Sequence, residues 1–190
     1  ADRPPQPQAF VVPHDLEFAG KSSADKRADI AAALKTSGAH AAVITAPASL
    51  AWAFNIRGGD VACTPLPLGR AILFEDGSAE LFLDEKKISD GLREHLGNQV
   101  RLRPLDDLRN GLADLTGKSV SLDPAAASAW FFDTLAAAGA TIVKEMDPCA
   151  LPKSCKNAAE IAGTTRAHPR DAPALIKFLH WLDTEAQSGE

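Results

Sequence analysis

Apolar and polar positions first fall into a regular pattern over residues 20–38, GKSSADKRADIAAALKTSG, where Ile30, Ala33 and Leu34 mark one face of a helix. Ser22 and Asp25 stand where an N-terminal cap is expected, and Gly38 where the helix has to stop. The unbroken apolar run AAVIT, residues 41–45, reads as a short buried strand. Pro47 suits the first turn of a second helix that runs through ASLAWAF and ends near Asn55. Residues 70–84, RAILFEDGSAELFLD, place two apolar runs around Asp76-Gly77, the pattern of a hairpin whose turn needs positive-φ residues. Beyond it the pattern alternates, with helices predicted over 85–96, 105–115 and 125–139 and strands over 99–104, 118–123 and 140–145. Such alternation predicts an α/β fold: a mixed, mostly parallel sheet flanked by helices, with the hairpin supplying an antiparallel pair.

Both ends depart from this pattern. Residues 1–20 hold four of the thirteen prolines and show no periodicity, so they read as a linker that is extended rather than core. The α/β unit is expected over 21–148, and 149–190 as a linker and a C-terminal helical extension. In that extension the helix is expected to be interrupted around Pro169 and Pro173, with Leu175, Phe178, Leu179 and Leu182 on an apolar stripe widened by Ile176 and Trp181. A helix of this kind after a finished α/β unit has to bury its face, either in a groove of that unit or against a domain that this sequence does not include.

Composition narrows the classes. With 45% hydrophobic and 24% charged residues the chain has the balance of a soluble globular protein. No apolar run approaches the roughly 18 residues of a membrane span, and the first residues do not resemble a secretory signal. Against 25 Asp plus Glu there are 20 Lys plus Arg without a basic cluster, which disfavours nucleic acid as a partner. Three cysteines, Cys63, Cys149 and Cys155, in a chain of this length point to a reducing compartment.

Tests for chemistry return little. DLEFAGKS, residues 15–22, ends like a phosphate-binding loop but puts Asp15 where the first glycine belongs, so a serine-capped helix start is the better reading. Cys149 and Cys155 lack a second pair, and His168 and His180, twelve apart, lie about 120° apart around a helix, so neither pattern makes a metal site. No serine sits in G-x-S-x-G, and Cys63 reads as a small buried residue. The richest stretch is LAWAFNIRGGD, residues 50–60. Trp52 there reads as core and Arg57 with Asp60 as a local ion pair across a glycine turn; the competing reading gives Trp52, Arg57 and Asp60 an interdomain or substrate-entrance role, with Arg57 suited to a carboxylate or a peptide carbonyl.

Two longer motifs carry a resemblance. Trp52, Asn55, Arg57, Gly58, Asp60 and Pro65 follow the form WLLNIRG-x-D-x-x-x-x-P. Pro152, Lys153, Lys156, Asn157, Glu160, Gly163, Ala167, His168, Arg170 and Asp171 follow PK-x-x-KN-x-x-E-x-x-G-x-x-x-AH-x-RDG, with Ala172 in place of the last glycine. In these the chain resembles the three-domain Xaa-Pro aminopeptidases, also called aminopeptidase P. The resemblance implies a creatinase-type α/β middle domain followed by the first helix of a pita-bread catalytic domain. In that family two divalent metal ions, here expected to be manganese, are held by two Asp, one His and two Glu of the catalytic domain, all of which would follow Glu190. It implies no catalytic or metal residue in this chain, a cytoplasmic setting, and as partners the protein's own N-terminal and catalytic domains, with a homodimer as a further expectation. A free-standing creatinase-fold binding or scaffold module without peptidase activity is the alternative.

Overall fold

The computed structural model describes residues 5–186; residues 1–4 of the expected linker and the last four of the extension lie outside this range. The elements are β1 (Val12–Pro13), α1 (Leu16–Ala19), α2 (Ser23–Ser37), β2 (Ala41–Ile44), α3 (Pro47–Ala53), β3 (Ile56–Arg57), β4 (Arg70–Phe74), β5 (Ala79–Leu83), α4 (Leu92–Leu96), β6 (Val100–Pro104), α5 (Leu108–Ala113), β7 (Ser119–Leu122), α6 (Ala129–Ala137), β8 (Thr141–Lys144), α7 (Ala150–Ser154) and α8 (Ala158–Thr184).

Six strands form one sheet in the order β6-β5-β4-β2-β7-β8. The pairs β5–β6, β2–β7 and β7–β8 are parallel, and β2–β4 and β4–β5 antiparallel, so the sheet is mixed and mostly parallel. The hairpin between β4 and β5 turns at Gly77, whose φ of 86° is the left-handed value that glycine takes without a Cβ clash. Two-residue alternation then sorts the core. Ala42 and Ile44 of β2, Leu73 of β4 and Leu81 and Leu83 of β5 pack with Ile30, Leu34, Leu50 and Leu92 from α2, α3 and α4. Ala41, Val43, Ile72 and Phe82, from the same strands, pack on the other face with Leu108, Leu112, Phe131 and Leu135 of α5 and α6.

Three segments differ from the sequence expectation. Residues 85–96 form only a 3-10 turn, Glu85–Lys87, and the short α4, because Ser89-Asp90-Gly91 favours turns over helix. The proline-rich start is not wholly extended: Val11 is fully buried and bridges to Ile88, and β1 pairs antiparallel with β3. Prolines removed the periodicity without preventing a two-residue edge strand. The helix expected to break at Pro169 and Pro173 is continuous from Ala158 to Thr184. The two prolines stand four apart on one side, and that side is exposed, so water can take the carbonyls left without an amide partner.

Candidate functional site

The stretch around Trp52 is built by a helix that ends without glycine. Proline at the first position starts α3, Phe54 caps it, and Asn55 takes the left-handed turn at φ 49°, a conformation asparagine tolerates better than most residues. Its buried side chain then joins three segments: Nδ2 donates to the Lys21 carbonyl at 2.9 Å, and Oδ1 accepts from Lys26 Nζ at 2.6 Å. The Asn55 carbonyl accepts from the His14 amide at 2.8 Å, beside the β1–β3 pairing.

Lys26, on α2, is the centre of this corner. Its ammonium donates to the Trp52 carbonyl at 3.1 Å and lies 4.7 Å from the centroid of the Trp52 ring, so the half-buried indole serves as a cation platform. Burial holds the Lys26 ammonium down to about 8; Glu160 opposes that shift and Arg57 adds to it. Arg57 is half-buried and its Nη1 donates to the carbonyls of Ala51 at 3.2 Å and Ile56 at 2.9 Å. Desolvation lowers the Arg57 pKa from its usual value and Glu160 acts against it.

Asp60 belongs to a different cluster, and the local Arg57–Asp60 pair expected from the sequence is not formed. The Asp60 carboxylate accepts from Lys87 Nζ at 2.9 Å, from the Leu68 amide at 2.7 Å and from the Ala9 amide at 3.2 Å. Both charged side chains of this ion pair are out of water, at 0% and 3% exposure, and Lys87 also donates to the Leu68 carbonyl at 3.3 Å. Gly58 lies so close to Pro67 that a Cβ would meet the proline Cα at 2.9 Å, which keeps the loop folded on itself. Of the three singled-out residues, Trp52 and Arg57 therefore face the Lys26 corner, and Asp60 pins the loop to the segment before β1.

Cys63, expected to be buried, is exposed at φ 57° in that loop. It follows an apolar pair in sequence but sits on a turn where the backbone, not the side chain, decides its place. Cys149 is the buried thiol, pushed well above its ordinary pKa by burial and by the neighbouring Asp147 carboxylate. His168 and His180 are both exposed along α8. Among the described residues no group of three or more His, Cys, Asp or Glu is placed to hold a metal ion.

The second motif builds the exit from the fold. Asn157 caps α8: its Oδ1 accepts from the Glu160 amide at 3.1 Å while Glu160 Oε2 accepts from the Asn157 amide at 2.9 Å, a full capping box. In the sequence Asn157 and Glu160 stand out only as letters of the second motif; their N-x-x-E spacing is the signal for a capping box. Lys26 and Lys87 carry no local signal, because their partners lie at least 19 residues away in sequence.

Comparison with known proteins supports the fold and the family. A family described as the Creatinase/Prolidase N-terminal domain matches residues 2–160. The chain is 34% identical over 193 residues to a probable Xaa-Pro aminopeptidase P of Coccidioides posadasii, covering 97% of this chain and 31% of the relative. Aminopeptidase P1 of Arabidopsis thaliana is 35% identical over 213 residues, covering 97% of this chain and 33% of the relative. The crystal structure of X-prolyl aminopeptidase from Caenorhabditis elegans, described as a cytosolic enzyme with a di-nuclear active site, superposes with a TM-score of 0.86 at 25% identity, over 100% of this chain and 32% of that one. The chain thus spans about a third of the length of these relatives. With the matched residues running from the start of the chain into the first turn of α8, the chain belongs to the creatinase/prolidase N-terminal domain family.

Proposed function

We propose that this chain is a non-catalytic middle-domain segment of a metal-dependent Xaa-Pro aminopeptidase, with α8 the first helix of that enzyme's catalytic domain. The full-length protein would act in the cytoplasm and release the N-terminal residue from peptides with proline at position two, using two divalent metal ions, manganese in our reading, held by its catalytic domain. The observation that carries this is the superposition on the C. elegans enzyme, which takes in α8 together with the α/β unit and uses 32% of that chain. In the intact enzyme Trp52 and Arg57 would lie at an interdomain or substrate-entrance surface, and Asp60 would hold the loop beside it.

The test has two arms. The purified chain, incubated with Mn²⁺ or Co²⁺ and an X-Pro peptide, is expected to release no N-terminal residue; metal-dependent release would refute its inactivity. The reading frame beyond codon 190 is expected to encode, in order, Asp, Asp, His, Glu and Glu at metal-ligand positions. A stop codon directly after Glu190 would replace this reading with that of a free-standing module.

A further inference from the structure

The exit of α8 rests on few groups. Its principal contact in the fold is with α1, and from residue 168 onward every described residue is exposed. At the junction Asn157 is used twice. Besides capping α8 through Oδ1, it donates from Nδ2 to the Ala19 carbonyl at 2.8 Å, a bond that joins residues 138 apart in sequence. The contact needs a residue without a side chain opposite: Gly20 caps α1 at φ 67°, and a Cβ there would stand 2.3 Å from Asn157 Oδ1. Glu160 completes the cap and lies where its charge acts on Lys26 and Arg57, so both family motifs converge on this junction.

We propose that Gly20, Asn157 and Glu160 form a positioning joint, in which the double use of Asn157 as helix cap and as strut to Ala19 fixes the direction in which α8 leaves the α/β unit. Through α8 the joint sets the seat of the polypeptide that covers the helix's apolar face. Under the aminopeptidase reading, on which this last identification alone rests, that polypeptide is the catalytic domain. The joint itself is a property of this chain and is tested on it without any activity assay.

Asn157→Asp separates the two uses. Aspartate keeps the acceptor that caps α8 but has no amide to donate to the Ala19 carbonyl. Spin labels are placed at Lys118→Cys and Lys177→Cys in a Cys63→Ser, Cys155→Ser background. The labelled protein is diluted into unlabelled chain so that only intramolecular distances are read by pulsed electron paramagnetic resonance. The parent is expected to give one narrow distance, and Asn157→Asp to lose it for a broad distribution while helical circular dichroism and the thermal midpoint of the α/β unit stay unchanged. Gly20→Ala, which displaces Asn157 without altering it, is expected to lose the narrow distance in the same way. A parent distribution that is already broad, or a narrow parent-like distance retained in Asn157→Asp, overturns the joint. Loss of peptidase activity in a longer protein has no bearing on this outcome.

Discussion

Asp60 and Lys87 place a full charge pair inside the fold, and at this scale the energetics are set by what is left behind when one partner goes. The carboxylate keeps two backbone donors, from Ala9 and Leu68, but removal of Lys87 strands its charge. Lys87→Met is therefore expected to lower the unfolding free energy by about 3–5 kcal/mol, and Asp60→Asn by a similar amount, while the double variant recovers part of the loss. Urea titrations of the four proteins check this; strictly additive losses would show that the two residues act independently. A second residue-scale test uses pH. The unfolded chain holds more protons than the folded one between about 8, where burial places Lys26, and its ordinary 10.5, so this residue makes stability rise through that window. Cys149 acts in the opposite sense, because its buried thiol keeps its proton above 9 when the unfolded chain loses it. Relative to Lys26→Met, the parent is expected to gain about 1 kcal/mol per pH unit across the Lys26 window. A difference that stays flat from pH 8 to 10 in urea titrations would rule out a buried, depressed lysine. Residues such as Lys26 and Lys87 were not legible in the sequence because their partners are distant along the chain. Arg57 and Asp60 misled for the converse reason: proximity in sequence suggested a pair, while burial sent each to a different neighbour.

Elements were more legible than their ends. The α2 start at Ser22, with its Oγ accepting from the Asp25 amide at 3.0 Å, and the stop at Gly38 are where side-chain chemistry placed them. Buried strands also followed the pattern, since β2, β4 and β5 alternate between two apolar clusters and β7 gives Val120 and Leu122 to one of them. What failed were segments where local rules compete. Prolines in α8 argued for a break, yet their fixed φ is compatible with helix and the carbonyls they leave without a donor lie on an exposed stretch that water can reach. The apolar stripe of α8 has no partner among the described residues: Leu175, Ile176, Phe178, Leu179, Trp181 and Leu182 are between 43% and 63% exposed. Of the two expectations, a groove in the α/β unit is not used by the described residues of α8. The isolated chain is therefore expected to self-associate through α8, its elution volume falling as concentration rises, and Phe178→Glu with Leu179→Glu is expected to restore a concentration-independent monomer. A monomer already present at high concentration in the parent would contradict this.

At the scale of the molecule, the fold class followed from alternating elements, because two-faced burial imposes a period that survives without any partner. The candidate site did not, because it lies where segments 9–14, 19–27, 52–60 and 157–160 meet, a convergence that only the folded chain makes. Its longest element gives that convergence a mechanical meaning. A helix of 27 residues reaches about 40 Å, so an error of about 10° at its root carries its far end about 7 Å, more than the width of a side-chain contact. α8 is a lever arm with its fulcrum at residues 19–20 and 157–160, and the accuracy of anything seated at its tip is limited by the stiffness of one amide-to-carbonyl bond at the other end.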